Sequence, residues 1–427
     1  MFRRLSLIFA LLALFTLAVV TCVAVSAPHA APVPGGCGSE RLDRMVGQMI
    51  MVGFPGDDEN DAGVKAIRSQ LNKGTVGGVV LFPENIRSRK QVKNLIAFLR
   101  NAKSNPRPFI AVDQEGGKVQ RLNRWNGFKW FPAAAKVART PSFASPAAAM
   151  RLYGEMAAEL ADVGFNMNLG PVVDLNTNPR NPVIGARGRS FGEDPDTVIA
   201  LARSFIKAHR AANIVTVAKH FPGHGSSVSD SHQRLADISK TWREVELKPY
   251  RRLNAEGLLD AVMVGHLYHP RFSDIEGLPA SLSAKAARSL RNKNWLDFDG
   301  VIMSDDMEMG AVRHDFTPEE LAVKAVQAGT DIVVFSNVQT EAPQLGVRIH
   351  RALVTAVCEG RISSTRIKQA YKRIMKLKRR LQQKSLDGSV ARARRDNPYE
   401  GPLAFSDRRR SKALPTARNR NRPCSPG

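Results

Sequence analysis

Strand and helix patterns that alternate eight times predict an α/β fold of the (β/α)8 TIM-barrel type for this 427-residue chain. Three observations carry that expectation. Eight short runs are almost continuously apolar and rich in Val and Ile, as parallel strands covered on both faces should be. Amphipathic stretches separate most of them. Polar residues able to do chemistry gather at the C-terminal ends of several runs, where a barrel would bring them into one pocket and an open doubly wound sheet would spread them along a rim.

In chain order the runs are MIMVGF (49–54), VGGVVLF (76–82), FIAVDQ (109–114), FNMNLGPVVD (165–174), IVTVAKH (214–220), DAVMVGH (260–266), GVIMSDD (300–306) and DIVVFS (331–336). KQVKNLIAFLRNAK and PEELAVKAVQAG read as helices between them, the second closing on a glycine that stops a helix. One barrel over residues 40–380, with enlarged loops after strands three to five, accounts for this length.

The two ends read differently. MFRRLSLIFALLALFTLAVVTCVAVSA has two arginines before a long apolar run that ends in small residues. Residues 1–27 are therefore expected to be an export signal, cleaved after Ala27 or Ala30, or an uncleaved membrane anchor. Residues 28–39 form a linker. Either outcome puts the body of the protein outside the cytoplasm, periplasmic or extracellular. Of the formal net charge of +24, the stretch from Lys376 onward supplies 15 Lys/Arg against 4 Asp/Glu, a local +11. With no sustained apolar periodicity after Leu381, residues 381–427 are expected to be a disordered basic tail. Its first reading is a solubilising extension with no specific partner; nucleic acid, an anionic polymer or a membrane surface are the partners its charge would suit. Cys22, Cys37, Cys358 and Cys424 have no zinc-like spacing, and Cys37 with Cys424 is the pairing an oxidising compartment would allow.

The segment VAKHFPGHGSSVSDSHQRL (217–235) concentrates proton-carrying side chains behind an apolar approach. Metal ligation by His220, His224 and His232 is one reading, but Phe-Pro-Gly-His-Gly cannot continue a helix that would face two of them together. Nucleic-acid binding fits poorly, because Lys219 stands without an aromatic ladder. Acid/base chemistry fits better. Asp230 and His232, two apart in an extended loop, project to one side, and the carboxylate raises the imidazole's proton affinity. Gly223 and Gly225 would let this loop turn and move over the barrel mouth. Asp305 and Asp306 end strand seven; alternation lets only one of them face the axis, and parity alone does not say which.

These motifs resemble glycoside hydrolase family three in its β-N-acetylglucosaminidase branch. KHFPGHG followed by DSH carries the resemblance, together with VDQEGGKVQRL, NLGPVVDLN, NPVIGARGRSFGEDP and MSDDMEMGAV, over most of residues 40–380. It implies a retaining hydrolysis with Asp305 as nucleophile and His232, supported by Asp230, as general acid/base, in place of the usual second carboxylate. It implies substrate contacts from Asp113, Arg121, Arg189, Lys219 and His220, with His266 joining the substrate-binding set at one remove. No cofactor and no metal are expected. The expected partner is a carbohydrate, an N-acetylglucosaminide such as a peptidoglycan fragment, with no specific nucleic acid. Ser226 stands where the family usually has an acidic residue after GHG, and Ala236 where proline is common. Competing readings are a β-glucosidase or glycoside phosphorylase of the same family, and a non-catalytic protein gripping an anionic wall polymer.

Overall fold

A computed structural model describes residues 39–338 and 341–395, as backbone alone from 383 on. Eight parallel strands close into a barrel: β1 (Ile50–Val52), β2 (Gly78–Leu81), β3 (Phe109–Val112), β4 (Met167–Asn168), β5 (Val215–Phe221), β6 (Ala261–Val264), β7 (Val301–Asp306) and β8 (Ile332–Phe335). Closure comes from β8 against β1, with Ile50 beside Val333 and Val52 beside Phe335. Every expected strand is present and in sequential order around the barrel. Two expected helices are Arg89–Arg100 and Pro318–Gln327; after the second, Gly329 takes a left-handed φ of 108°.

The strands form where β-branched residues can be covered on both faces, and the barrel strands are buried throughout except at Asp305 and Asp306. The fourth strand is shorter than FNMNLGPVVD suggests. Regular pairing ends at Asn168; Pro171 has no N–H to give the ladder, which continues only through single bonds such as Val217 N–H to the Gly170 carbonyl and the bridge between Val172 and Lys219.

The C-terminal helix, Ser364–Arg395, crosses the expected boundary at 380. Most of the residues just after Leu381 are good helix formers and none is proline, so the helix propagates without an apolar face. Its Lys378 enters the bottom of the barrel, with Nζ 2.6 Å from Gln48 Oε1, 2.7 Å from the Gly77 carbonyl and 4.6 Å from the centre of the Phe109 ring. Burial without a counter-charge pushes this lysine down to about 7. Cys358 is held in a disulfide, and the other three cysteines lie outside the described residues. The export segment and the Cys37–Cys424 pairing lie there too.

Candidate active site

At the C-terminal mouth of the barrel a cavity of about 250 Å³ is lined by residues from most of the strands and their loops. That is just under the roughly 300–1,000 Å³ of pockets for drug-sized ligands, a fit for one sugar unit. Val80, Leu169, Met263 and Val334 form an apolar floor, and Asp113, Arg121, Arg189, Lys219, His220, His232 and Asp305 stand around it. The topology thus brings seven of the nine expected site residues to one surface.

Asp305 ends β7. Its Oδ1 accepts the Asp306 amide at 2.9 Å, and its other oxygen makes no hydrogen bond among the described residues. Burial pushes this carboxyl up, but the nearby imidazoles of His220 and His266 hold it at about 2. It is therefore ionised at neutral pH. Asp306 also lines the cavity, contrary to strict alternation, because the register of β7 on β8 shifts between Met303 and Asp306. Its Oδ1 is occupied by the amides of Glu308 and Ser336, and burial raises it to about 6. A second register shift, between Ala218 and Phe221, turns both Lys219 and His220 toward the cavity.

His232 reaches the rim with its Nδ1 2.7 Å from Asp230 Oδ1. The contact is made by a tight turn rather than by an extended loop: the His232 amide also donates to Asp230 Oδ1, at 2.9 Å. Burial raises the Asp230 carboxyl, but the amide and ring of His232 together hold it below its ordinary value. The preceding GHG segment is packed against the barrel rather than exposed. Residues 221–227 are buried, and a Cβ on Gly225 would lie 1.5 Å from the Leu175 carbonyl oxygen. Gly225 serves close packing; the exposed part of the loop begins at Val228.

Opposite Asp305, Lys219 Nζ lies 2.6 Å from Asp113 Oδ1 and 2.8 Å from Glu115 Oε1. Arg189 forks onto Glu115 with two contacts of 2.8 Å, and Arg121 lies 3.6 Å from Asp113. Burial alone would lower Lys219, but Asp113 and Glu115 raise it above its ordinary value. Glu115, raised by burial, is pulled far below the usual carboxylate range by Arg189 and Lys219. Asp113 lines the cavity with its Oδ1 held by Lys219, so its carboxylate can accept hydrogen bonds in a low-dielectric setting where such bonds are strong.

His266 stands at one remove from the cavity. It is fully buried behind Asp306, its Nδ1 2.7 Å from Ser281 Oγ and its Nε2 donating to the Asp306 carbonyl at 2.8 Å. With both ring nitrogens engaged, it braces the end of β7 and does not face the cavity. Asp230 also stays off the cavity lining, behind His232. The histidines suggested as a zinc set are also otherwise engaged: His220 Nδ1 is 2.7 Å from Asp174 Oδ2, and His224 Nε2 is 2.9 Å from Ser231 Oγ. Among the described residues no group of three His, Cys, Asp or Glu is arranged to hold a metal.

Sequence reasoning missed Glu115, Asp174 and Ser231 as parts of the site and weighed His224 only as a metal ligand. All four lie inside the quoted motifs, but only the folded chain reveals their pairing. Arg189 carries the Glu115 fork and lies 3.4 Å from His220 Nε2, whereas Arg187 stands exposed at the cavity mouth. Lys118, also exposed, stands at the same mouth, and neither cation has a carboxylate within ion-pair distance among the described residues.

Residues 41–377 match the N-terminal domain of glycosyl hydrolase family 3. A β-hexosaminidase of Pseudomonas aeruginosa is 34% identical over 291 residues, covering 67% of this chain and 83% of that one. β-Hexosaminidase A of Pseudoalteromonas piscicida is 28% identical over 385 residues, 83% of this chain. The structure of a family 3 β-N-acetylglucosaminidase from Paenibacillus sp. superimposes with a TM-score of 0.71 at 34% identity over 80% of this chain. The chain spans only 64% of the Pseudoalteromonas protein and 62% of the Paenibacillus one.

Proposed function

Because the chain belongs to glycosyl hydrolase family 3, in its β-hexosaminidase branch, we propose that it is an exported, retaining exo-β-N-acetylglucosaminidase that removes terminal N-acetylhexosamine from peptidoglycan fragments or related glycans. The observation that carries this reading is the meeting of an ionised Asp305 and the His232–Asp230 pair on one sugar-sized cavity. Asp305 attacks the anomeric carbon while the glycosidic C–O bond breaks. The proton on His232 Nε2 passes to the departing oxygen. In the second half, neutral His232 takes a proton from water, the water oxygen bonds to the anomeric carbon, and Asp305 leaves as carboxylate with net retention.

A histidine in the acid/base role adds no second anion beside Asp305. That matters most for a substrate that brings its own carboxylate, as a muramic acid residue does. The exposed Lys118 and Arg187 at the mouth suit such a leaving group. The disulfide at Cys358 supports an oxidising location, in keeping with the export reading.

The test is turnover of chromogenic N-acetylglucosaminide and glucoside side by side, with and without phosphate. Faster N-acetylglucosaminide cleavage independent of phosphate is expected, with Asp305→Ala lowering kcat by about 10³-fold or more. A 2-fluoro sugar that is turned over slowly should leave its mass on Asp305. Phosphate-dependent turnover would instead identify a phosphorylase, and an unlabelled Asp305 would remove the proposed nucleophile.

A further inference from the structure

From Val228 to Leu235 the segment that carries the acid/base pair lies on the surface. Val228 is 66% exposed, the His232 side chain is 56% exposed, and Gln233 and Arg234 are exposed as well. Ser231 alone in this run is buried, at 1%. The bond between Asp230 and His232 joins residues two apart, so it fixes the imidazole to its own turn. It does nothing to fix that turn to the barrel. Some other contact must set the distance between His232 and Asp305, because a general acid works only within hydrogen-bond reach of the departing oxygen.

The contacts of Ser231 supply it. Its hydroxyl lies 2.9 Å from His224 Nε2. Its carbonyl accepts the Ala311 amide at 3.3 Å, and the His232 carbonyl accepts the Gly310 amide at 2.9 Å. Gly310 follows the β7 end that carries Asp305, and a Cβ there would lie 2.5 Å from the Gln233 carbonyl oxygen and 2.7 Å from that of His232. His224 is itself fixed: its amide donates to Asp174 Oδ1 at 2.8 Å, and its carbonyl accepts from Asn181 Nδ2 at 2.7 Å. Asp174 also holds the backbone and the ring of His220.

We infer that His224 and Ser231 form a latch that registers the acid/base turn over Asp305, which makes both of them positioning residues for proton transfer. This rests on the hydrolytic reading above. The latch holds across the working pH range, because burial, helped by nearby His220, keeps His224 down at about 4 and therefore neutral.

Ser231→Ala in the full-length chain tests it against two N-acetylglucosaminides, one with a nitrophenyl and one with a sugar leaving group. Loss of registration costs most where the leaving group needs a proton. The expected result is a fall in kcat/KM of about 30- to 100-fold on the disaccharide and under about 10-fold on the aryl substrate. KM on the disaccharide and the pH limbs should stay unmoved, since the Asp230–His232 pair remains intact. Ser231→Thr, which keeps the hydroxyl, should recover most of the loss. Wild-type rates for Ser231→Ala on both substrates, or equal losses on both, would overturn the latch alone. A wild type that turns over neither substrate would overturn the hydrolytic reading and the latch together.

Discussion

Glu246 lies beneath the active-site loop with its carboxyl near Asp174, beside the Gly225 amide and the Ser226 hydroxyl, and is 1% exposed. Burial, with the charge of Asp174 adding to it, lifts this carboxyl to about 8, so it is largely protonated at neutral pH. Ser226, standing where the family favours an acid, avoids a third carboxylate at this spot. The folded chain keeps on Glu246 a proton that the unfolded chain releases near 4.5. The stability this group contributes is therefore complete below about pH 4.5 and is lost as pH rises toward about 8. Glu246→Gln removes that slope. Its melting temperature should match wild type near pH 5 and exceed it by several degrees at pH 9, as thermal melts across that range would read. Asp305 titrates near 2, so the acid limb of activity above pH 4 should belong to another group.

Buried ion pairs tie the elements together. Asp331, fully buried at the start of β8, accepts from Arg291 at 2.7 Å, Arg366 at 2.6 Å and the Ile302 amide at 3.0 Å. One carboxylate thereby joins the helix Ala284–Arg291, strand β7, strand β8 and the C-terminal helix. Asp331→Ala would take the shared carboxylate from Arg291, Arg366 and Arg373 in a poorly hydrated place. It should destabilise the fold by about 3–5 kcal/mol in urea unfolding, with kcat unchanged where the protein is folded, since Asp331 lies at the opposite end of the barrel from Asp305. Periodicity made the strands legible because each buries both faces. It did not reveal the register shifts in β5 and β7, since a bulge is set by what the neighbouring strands and loops require. Those shifts decide that both Lys219 and His220, and both Asp305 and Asp306, reach the cavity.

For the whole molecule, the charge is divided between a barrel that carries the cavity and a strongly basic C-terminal region. The cavity residues all precede Phe335, while residues 396–427 carry seven Lys/Arg and three Asp/Glu. Deleting 396–427 should leave kcat on a small chromogenic substrate within about twofold, because no cavity residue is touched. Retention on an anionic wall polymer should weaken, and the remaining binding should fall further with added salt. Unchanged retention would show that the tail is only a solubilising extension.

Taken alone, the order of residues determined the barrel, the direction in which its strands run, and the motif positions of Asp305, His232, Lys219 and Arg189. It could do so because covered strands need unbroken apolar runs and because loops at one end of a parallel barrel converge. Only the folded chain decided which side chains are spent on one another: Lys219 and Arg189 on Glu115, His220 on Asp174, Ser231 on His224, and His266 on the end of β7. Partnerships among groups 7 to 104 residues apart depend on distances of a few ångströms. No spacing along a chain encodes those until the barrel has closed.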